Sequence, residues 1–196
     1  MNESLYRETG FRVAARSRLN VRMCAHVVID YVKDKLGLPV LPFPITRVLE
    51  IWGADCGPRV GQDRPNLDVL EPDEIPHAAG EFVPHSNTIR VSREVWDAAC
   101  DGDGDARGVL AHEIGHMVLQ HYAAAGLYVE QPTVHAETDS EYQANWFSDE
   151  LLMDCREIDL RVEGTSAIAK RFNVSEAMAA RRVRELALEG RAHSGS

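Results

Sequence analysis

The 196-residue chain has no apolar run of the roughly 18 residues that a membrane-crossing helix needs. Its first stretch, MNESLYRETGFRVAARSR, lacks the apolar core of a secretory leader. It also has no C-x-x-C pair. Cys24, Cys56, Cys100 and Cys155 are scattered, which argues against a thiolate zinc motif and gives no disulfide framework. Positive charge is in deficit: 21 Lys and Arg stand against 31 Asp and Glu, for a net charge of -10 and a pI near 5.2. A general binder of nucleic acid or of anionic membranes needs a net basic surface, so neither is expected as a partner. These absences together point to a soluble protein of a reduced, cytoplasmic setting. The length suits one domain with a real core and at most a small appendage.

What the chain does have is concentrated in DARGVLAHEIGHMVLQHY, residues 105–122. At about 100° per residue, His112 and His116 stand one helical turn apart on the same face. Val109, Leu110, Met117, Val118 and Leu119 can bury most of the rest. Two imidazoles side by side on a rigid helix can give a Zn²⁺ two ligands, and Glu113 beside the first can act as base toward a metal-bound water. Burying His, Glu and His without a task for them would cost several kcal/mol, roughly, so the metal reading is preferred over a chance pairing on an amphipathic helix.

Around this helix the pattern is mixed α and β. Residues 1–16 read as a loose polar segment, and a core-facing helix is predicted from about Ser17 to Leu36, with Leu19, Met23, Val27, Val28, Tyr31 and Val32 near helical spacing. Gly37 and Pro39 stop it. His26, with no ligand-type residue at helical spacing, reads as a packed or surface histidine. A shorter helix begins at Pro44, carries Ile45, Val48, Leu49 and Trp52 on one side and ends at Gly53. NLDVLEP, AAGEFVP and NTIRVS read as short strands of a small antiparallel sheet, followed by a brief helix SREVWDAAC. The DGDGD loop after it opens like a calcium loop but has Ala106 and His112 where that motif needs Gly and Glu, so Asp105 is expected to cap the next helix instead. In the tail, SAIAKRF and EAMAARRVREL flank a short turn in helix-turn-helix outline, with Arg181, Arg182 and Arg184 close together. From Arg156 onward 8 basic residues face 6 acidic ones, a balance of +2 against -12 for the rest. That is weak for DNA, and the expectation is that the pair packs through Ile168, Phe172, Val174, Met178 and Val183, its Arg side chains solvated or meeting an acidic protein substrate.

Two histidines do not complete a zinc site. TDSEYQANWFSDELLM reads as a helix from about Asp139, on which Glu141 can supply a third ligand and Asn145, one turn on, a hydrogen bond to an imidazole. Thr138 to Glu141 equally spells a capping box, and spacing leaves these two roles for Glu141 about even. His121 and His135 compete as third ligands, though His121 would sit about 140° round the helix from His116 and His135 lies in an unpatterned loop.

The residues LAHEIGHMVLQH followed by EYQANWFSDELLM resemble the ImmA/IrrE family of zinc metallopeptidases, which pairs a HELGH-type helix with an E-x-x-A-N-x-F-A-x-x-L-L-M-P helix. NTIRVS resembles that family's strand before the metal helix, and AKRFNVSEAMAARRVREL its A-x-x-F-x-V-S tail, so the likeness spans roughly residues 20 to 188. Gln143, Asp154, Gln120 and the stretch 106–109 depart from its usual residues. The resemblance implies a zincin-like, gluzincin-type α+β fold, mainly helical, with residues 1–155 as the metallopeptidase domain and 156–196 as a helical subdomain packed on it. It implies His112, His116 and Glu141 as zinc ligands, Glu113 as general base and Asn145 as a supporting group. The implied activity is a cytoplasmic zinc endopeptidase, regulatory in role, that cuts a specific protein such as a helix-turn-helix repressor. An exposed strand at Thr88 to Val91 could hold an extended substrate by main-chain pairing, unless it is an ordinary internal strand. The competing function is a DNA- or protein-binding regulator of transcription or stress response that keeps the zinc site without proteolysis. Glu113 separates the two, since a purely structural site has no use for a base beside an open metal position.

Overall fold

The structure is a computed structural model that describes residues 12–52, 66–76, 78–121 and 135–194, with side chains as far as Glu189. The expected stop at Gly53, the residues around Cys56 and the end of the helix motif at Tyr122 lie outside the described residues. In chain order the elements are α1 (Arg18–Leu36), α2 (Ile45–Ile51), β1 (Asn66–Leu70), β2 (Gly80–Val83), β3 (Thr88–Ser92), α3 (Arg93–Cys100), α4 (Gly104–Val118), α5 (Ser140–Leu152), α6 (Thr165–Phe172) and α7 (Glu176–Ser194). This is the mainly helical α+β class expected from the sequence.

Local chemistry explains most of the helix boundaries. Ser17 caps α1 by accepting from the Asn20 amide, and Gly37 ends it in the left-handed region at φ +63°. The buried side of α1 is Val21, Ala25, Val28, Ile29 and Val32, whereas Leu19, Met23 and Val27 are exposed. Both sets have helical spacing, and the stripe that faces α5 is the one that is buried. α2 buries Ile45, Val48 and Leu49 on the side expected, together with Trp52 just past its end. The cap of α4 is Asp103, whose carboxylate accepts from the Ala106 amide at 2.8 Å; Asp105, the expected cap, lies two residues further on, inside the first turn. Residues 12–16 are not loose. Val13 and Arg16 donate backbone N–H groups to Thr138 and Glu137, and the Arg16 guanidinium reaches the Leu119 carbonyl.

The sheet has the order β1-β3-β2 and is mixed. β2 and β3 form a hairpin through Pro84–Ser86 and Asn87 at φ +50°, whereas β1 pairs parallel to β3 on its far side, with Asn66 beside Thr88. The antiparallel sheet expected from the sequence is thus found for β2 and β3 and not for β1. β1 and β2 lie on opposite sides of β3, so β3 is the central strand and its residues are largely buried.

The core surrounds α4. Leu110, Ala111, Ile114 and Met117 are fully buried, and α4 packs against α2, α3, α5, β2 and β3. Gly115 allows the α5 contact: a Cβ there would come within 3.1 Å of the Ala144 backbone. Arg107, also buried, donates to the carbonyls of Phe43 and Asn173 and so ties α4 to the tail. Ile168, Phe172, Val174 and Met178 join the same core, as expected of the tail, with Val183 packed at its edge. Its arginines differ from expectation. Arg181 forms two bonds to Asp149, and Arg182, almost wholly buried, pairs with Glu150 and donates to the Met153 carbonyl. The acidic face they meet is that of α5 in the same chain.

Removing one partner of a buried ion pair leaves the other charge uncompensated, at a cost of about 3–5 kcal/mol. Arg182→Ala is therefore expected to lower the urea midpoint by an amount equivalent to that loss. The exposed neighbour Arg184→Ala should change stability by no more than about 0.5 kcal/mol. Equal midpoints for the two variants would show that the Arg182 pair does not hold the tail.

Candidate metal centre

α4 places His112 and His116 one turn apart, and α5 brings Glu141 against them. The two Nε2 atoms are 2.9 Å apart. Glu141 Oε2 is 3.0 Å from His112 Nε2, and its Oε1 is 3.3 Å from His116 Nε2. One donor atom from each residue fits within a cluster whose members all lie within 4.8 Å of one another. The capping alternative for Glu141 is not realised. Asp139 caps α5, accepting from the amides of Glu141 and Tyr142, which leaves the Glu141 carboxylate directed at the histidines, with the Ser140 hydroxyl donating to it at 3.2 Å.

The outer hydrogen bonds fix which imidazole nitrogen carries the proton. The Gln143 amide NH₂ donates to the carbonyls of Ala14 and Glu137, at 3.0 and 2.7 Å, so its oxygen is the atom facing His121 Nε2 at 3.1 Å. His121 therefore donates from Nε2 and accepts at Nδ1, which lies 2.9 Å from His116 Nδ1. His116 then carries its proton on Nδ1 and presents a bare Nε2 lone pair to the cluster. His112 reaches the same state from the other side, with Nδ1 donating to Asn145 Oδ1 at 3.1 Å. Two lone pairs facing each other 2.9 Å apart repel unless a cation lies between them. Two neutral imidazoles and a carboxylate are a donor set that suits Zn²⁺.

The electrostatics show the same demand for positive charge between these groups, which a proton meets when no metal does. Burial works against charging His112, but the hydrogen bond to Glu141 and the charges of Glu113 and Glu141 outweigh it and raise the pKa. Burial alone would raise Glu141, yet its hydrogen bonds to the two histidines hold its pKa well below the usual carboxylate range. His121 is pushed down to about 3 by burial and by the neighbouring His116, so it stays neutral, as the relay from Gln143 requires.

Glu113 is buried on α4 beside β2, where the bare backbone of Gly80 makes room: a Cβ at Gly80 would lie 3.3 Å from Glu113 Cγ and 3.1 Å from a Val109 methyl. β2 is thus the strand nearest the candidate base, and it is an edge of the described sheet, whereas the expected substrate strand, Thr88 to Val91, is paired on both sides. His135 is exposed in the turn before α5, away from the cluster. Sequence reasoning weighed His121 only as a third ligand and Gln143 only as a departure from the family's usual residues, and missed their place behind His116. α4 ends at Val118, and Gln120 at φ +54° turns the chain back, so the helical-wheel angle that set His121 aside does not apply.

A family model described as the IrrE N-terminal-like domain, Peptidase_M78, matches residues 82–184, more than half of the chain. No curated protein matches. Among solved structures, a Mycobacterium tuberculosis transcriptional regulator is similar at a TM-score of 0.52 and 16% sequence identity. The match covers 83% of this chain and 46% of that one, so this chain spans about half the length of that protein. The likeness is one of fold.

Groups that hold a ligand imidazole in place typically change metal affinity about 10–100-fold when removed. Gln143→Ala and Asn145→Ala should each weaken Zn²⁺ binding by about that factor in a competition titration with a chromophoric chelator. Parent affinity in both variants would overturn the proton assignment.

Proposed function

The chain belongs to the Peptidase_M78 family of IrrE N-terminal-like domains, and from that premise we propose that it is a zinc-dependent endopeptidase, regulatory in role, that hydrolyses a peptide bond in a specific protein such as a helix-turn-helix repressor. The observation that carries this reading is the convergence of the His112 and His116 lone pairs with Glu141 while Glu113, on the same helix, stays out of the donor cluster. Three protein ligands are the number a catalytic zinc site uses, whereas a closed structural site takes four.

In this reading His112, His116 and Glu141 hold the ion. When bound, Zn²⁺ polarises a carbonyl oxygen and lowers the pKa of water toward about 7. Glu113 acts as general base, taking a proton from water and later giving it to the leaving amine. Its buried position against Gly80 restricts the carboxylate to one side of α4. Asn145 holds His112, and Gln143 acting through His121 holds His116, so neither ring has to reorient during turnover. An extended peptide could add to the outer edge of β2 by main-chain hydrogen bonds, which would set its backbone alongside Glu113. We assign residues 1–155 to the peptidase domain and 156–196 to a helical subdomain whose packing on α4 and α5 supports the site.

A regulator that binds DNA or protein without proteolysis is the second reading, favoured by the name of the mycobacterial protein of similar fold. Against its DNA-binding form, Arg181 and Arg182 are engaged with Asp149 and Glu150, and the chain is acidic. Among the described residues no helix is long and apolar enough to cross a membrane.

Glu113→Gln should keep the zinc held by the two histidines and Glu141 while lowering hydrolysis by about 10²–10⁴-fold. New N-termini that arise when a cell extract is treated with the zinc-loaded parent, and that are absent with Glu113→Gln or with chelator, would identify the substrate. The same termini appearing at the parent rate with Glu113→Gln would remove Glu113 from the mechanism. Their complete absence, combined with salt-sensitive binding of duplex DNA in an anisotropy titration, would favour the regulator.

A further inference from the structure

A second group of donor atoms lies at the other end of α5. Past Leu152 the chain leaves the helix at Met153 (φ -133°, ψ 69°) and turns back, so that the Cys155 amide donates to Glu150 Oε1 at 2.9 Å. That turn lays Asp154 and the Cys155 thiol beside Glu150. His26 reaches the same point from α1: its Nε2 is 2.8 Å from Glu150 Oε1, 3.4 Å from Asp154 Oδ1 and 4.0 Å from Cys155 Sγ. One donor atom from each of the four residues lies within 4.8 Å of all the others. A tetrahedral zinc site has edges of about 3.3 Å between nitrogen and oxygen ligands and about 3.6 Å between nitrogen and sulfur. The two nitrogen–oxygen separations, 2.8 and 3.4 Å, bracket the first value, and the nitrogen–sulfur separation of 4.0 Å is somewhat longer than the second.

The His26–Glu150 hydrogen bond accounts for two of the four residues. Asp154 and the Cys155 thiol are brought to the same point by the turn after α5, the thiol hydrogen-bonded to Glu150. Both carboxylates are fixed by neighbouring donors, as ligand carboxylates usually are: Asp154 Oδ1 accepts from the Arg156 amide at 2.9 Å and from its guanidinium at 3.0 Å, and Glu150 Oε1 from the Cys155 amide. Glu150 Oε2 accepts from Arg22 at 3.0 Å and from Arg182, and Asp154 Oδ2 accepts from Arg156 at 2.7 Å. Two of these cations also have partners away from the cluster, Arg22 with Glu189 and Arg156 with Asp30, which offsets their repulsion of a bound ion.

We propose that His26, Glu150, Asp154 and Cys155 form a second metal site, a closed four-ligand one for a borderline-soft divalent ion such as Zn²⁺, which clamps α1 to the end of α5. Its nitrogen, oxygen and sulfur donors suit such an ion better than Mg²⁺ or Ca²⁺, which take oxygen. The Cys155 thiol is half-buried, which favours a structural role over a reactive one. Binding then exchanges one S–H proton for one metal–sulfur bond. The proposal is independent of the reading of the His112 site.

Cobalt(II) separates the two sites, because only this one contains a thiol. Metal-free full-length protein titrated with Co²⁺ should develop a near-ultraviolet thiolate-to-cobalt charge-transfer band that saturates at one equivalent bound to this site. The band should disappear in Cys155→Ser, fall sharply in His26→Ala and persist in the His112→Ala, His116→Ala double variant. Zinc content after reconstitution should drop by one equivalent in Cys155→Ser, with far-ultraviolet circular dichroism unchanged. Should the serine variant fail to fold, His26→Gln serves for the same two readouts. No charge-transfer band at saturating Co²⁺, or a band that survives Cys155→Ser, would overturn the site.

Discussion

At Gly115 the backbone of α4 lies against that of Ala144 on α5, close enough that a methyl group there would have to push the two helices apart. The rest of the candidate centre depends on this approach. The Glu141 carboxylate reaches the imidazoles of His112 and His116 because the helix carrying it is separated from theirs by less than the width of ordinary side chains, and Asn145, one turn further on, meets His112 for the same reason. Small residues at the crossing thus do for the polar face what larger apolar ones could not. They leave the helices near enough for short, inflexible contacts between groups that carry opposite partial charge.

The hydrogen bonds behind the imidazoles extend that constraint into the surrounding chain. Gln143 is held by the carbonyls of Ala14 and Glu137, and through His121 it dictates where the proton of His116 resides. The segment 12–16 is part of this arrangement, pinned by its own backbone bonds to residues 137 and 138. A ring whose tautomer is set in advance presents its lone pair without an energetic cost at the moment of binding.

At the opposite end of α5 the same helix gathers charge of both signs. Glu150 meets Arg22, Arg182 and His26, and the charge of Arg182 holds its pKa down to about 2 against the opposing effect of burial. The tail is bound to the body by these pairs as well as by its apolar side. This explains how an arginine-rich helix belongs to an acidic protein without forming a basic surface patch. Arg182 is spent on a buried pair with Glu150, and Arg181 on Asp149, because a buried carboxylate and the guanidinium that meets it stabilise each other and are each costly alone.

Much was legible from local pattern. The helical period and cap residues located α1, α2, α4, α5 and the α6–α7 pair, and the H-E-x-x-H spacing put His112, Glu113 and His116 on one helix, since these features depend only on residues within a turn or two of one another. Glu141 stood evenly between ligand and helix cap, because both roles satisfy the same local spacing; the structure separates them by giving the cap to Asp139. The parallel pairing of β1 with β3, the exposed stripe of α1 at Leu19, Met23 and Val27, the return of His121 to His116, and the grouping of His26 with Glu150, Asp154 and Cys155 carried no local signal. Each joins residues distant along the chain or chooses between two equally periodic faces. Only the packing of the whole chain, which settles what lies opposite each face, decides such questions.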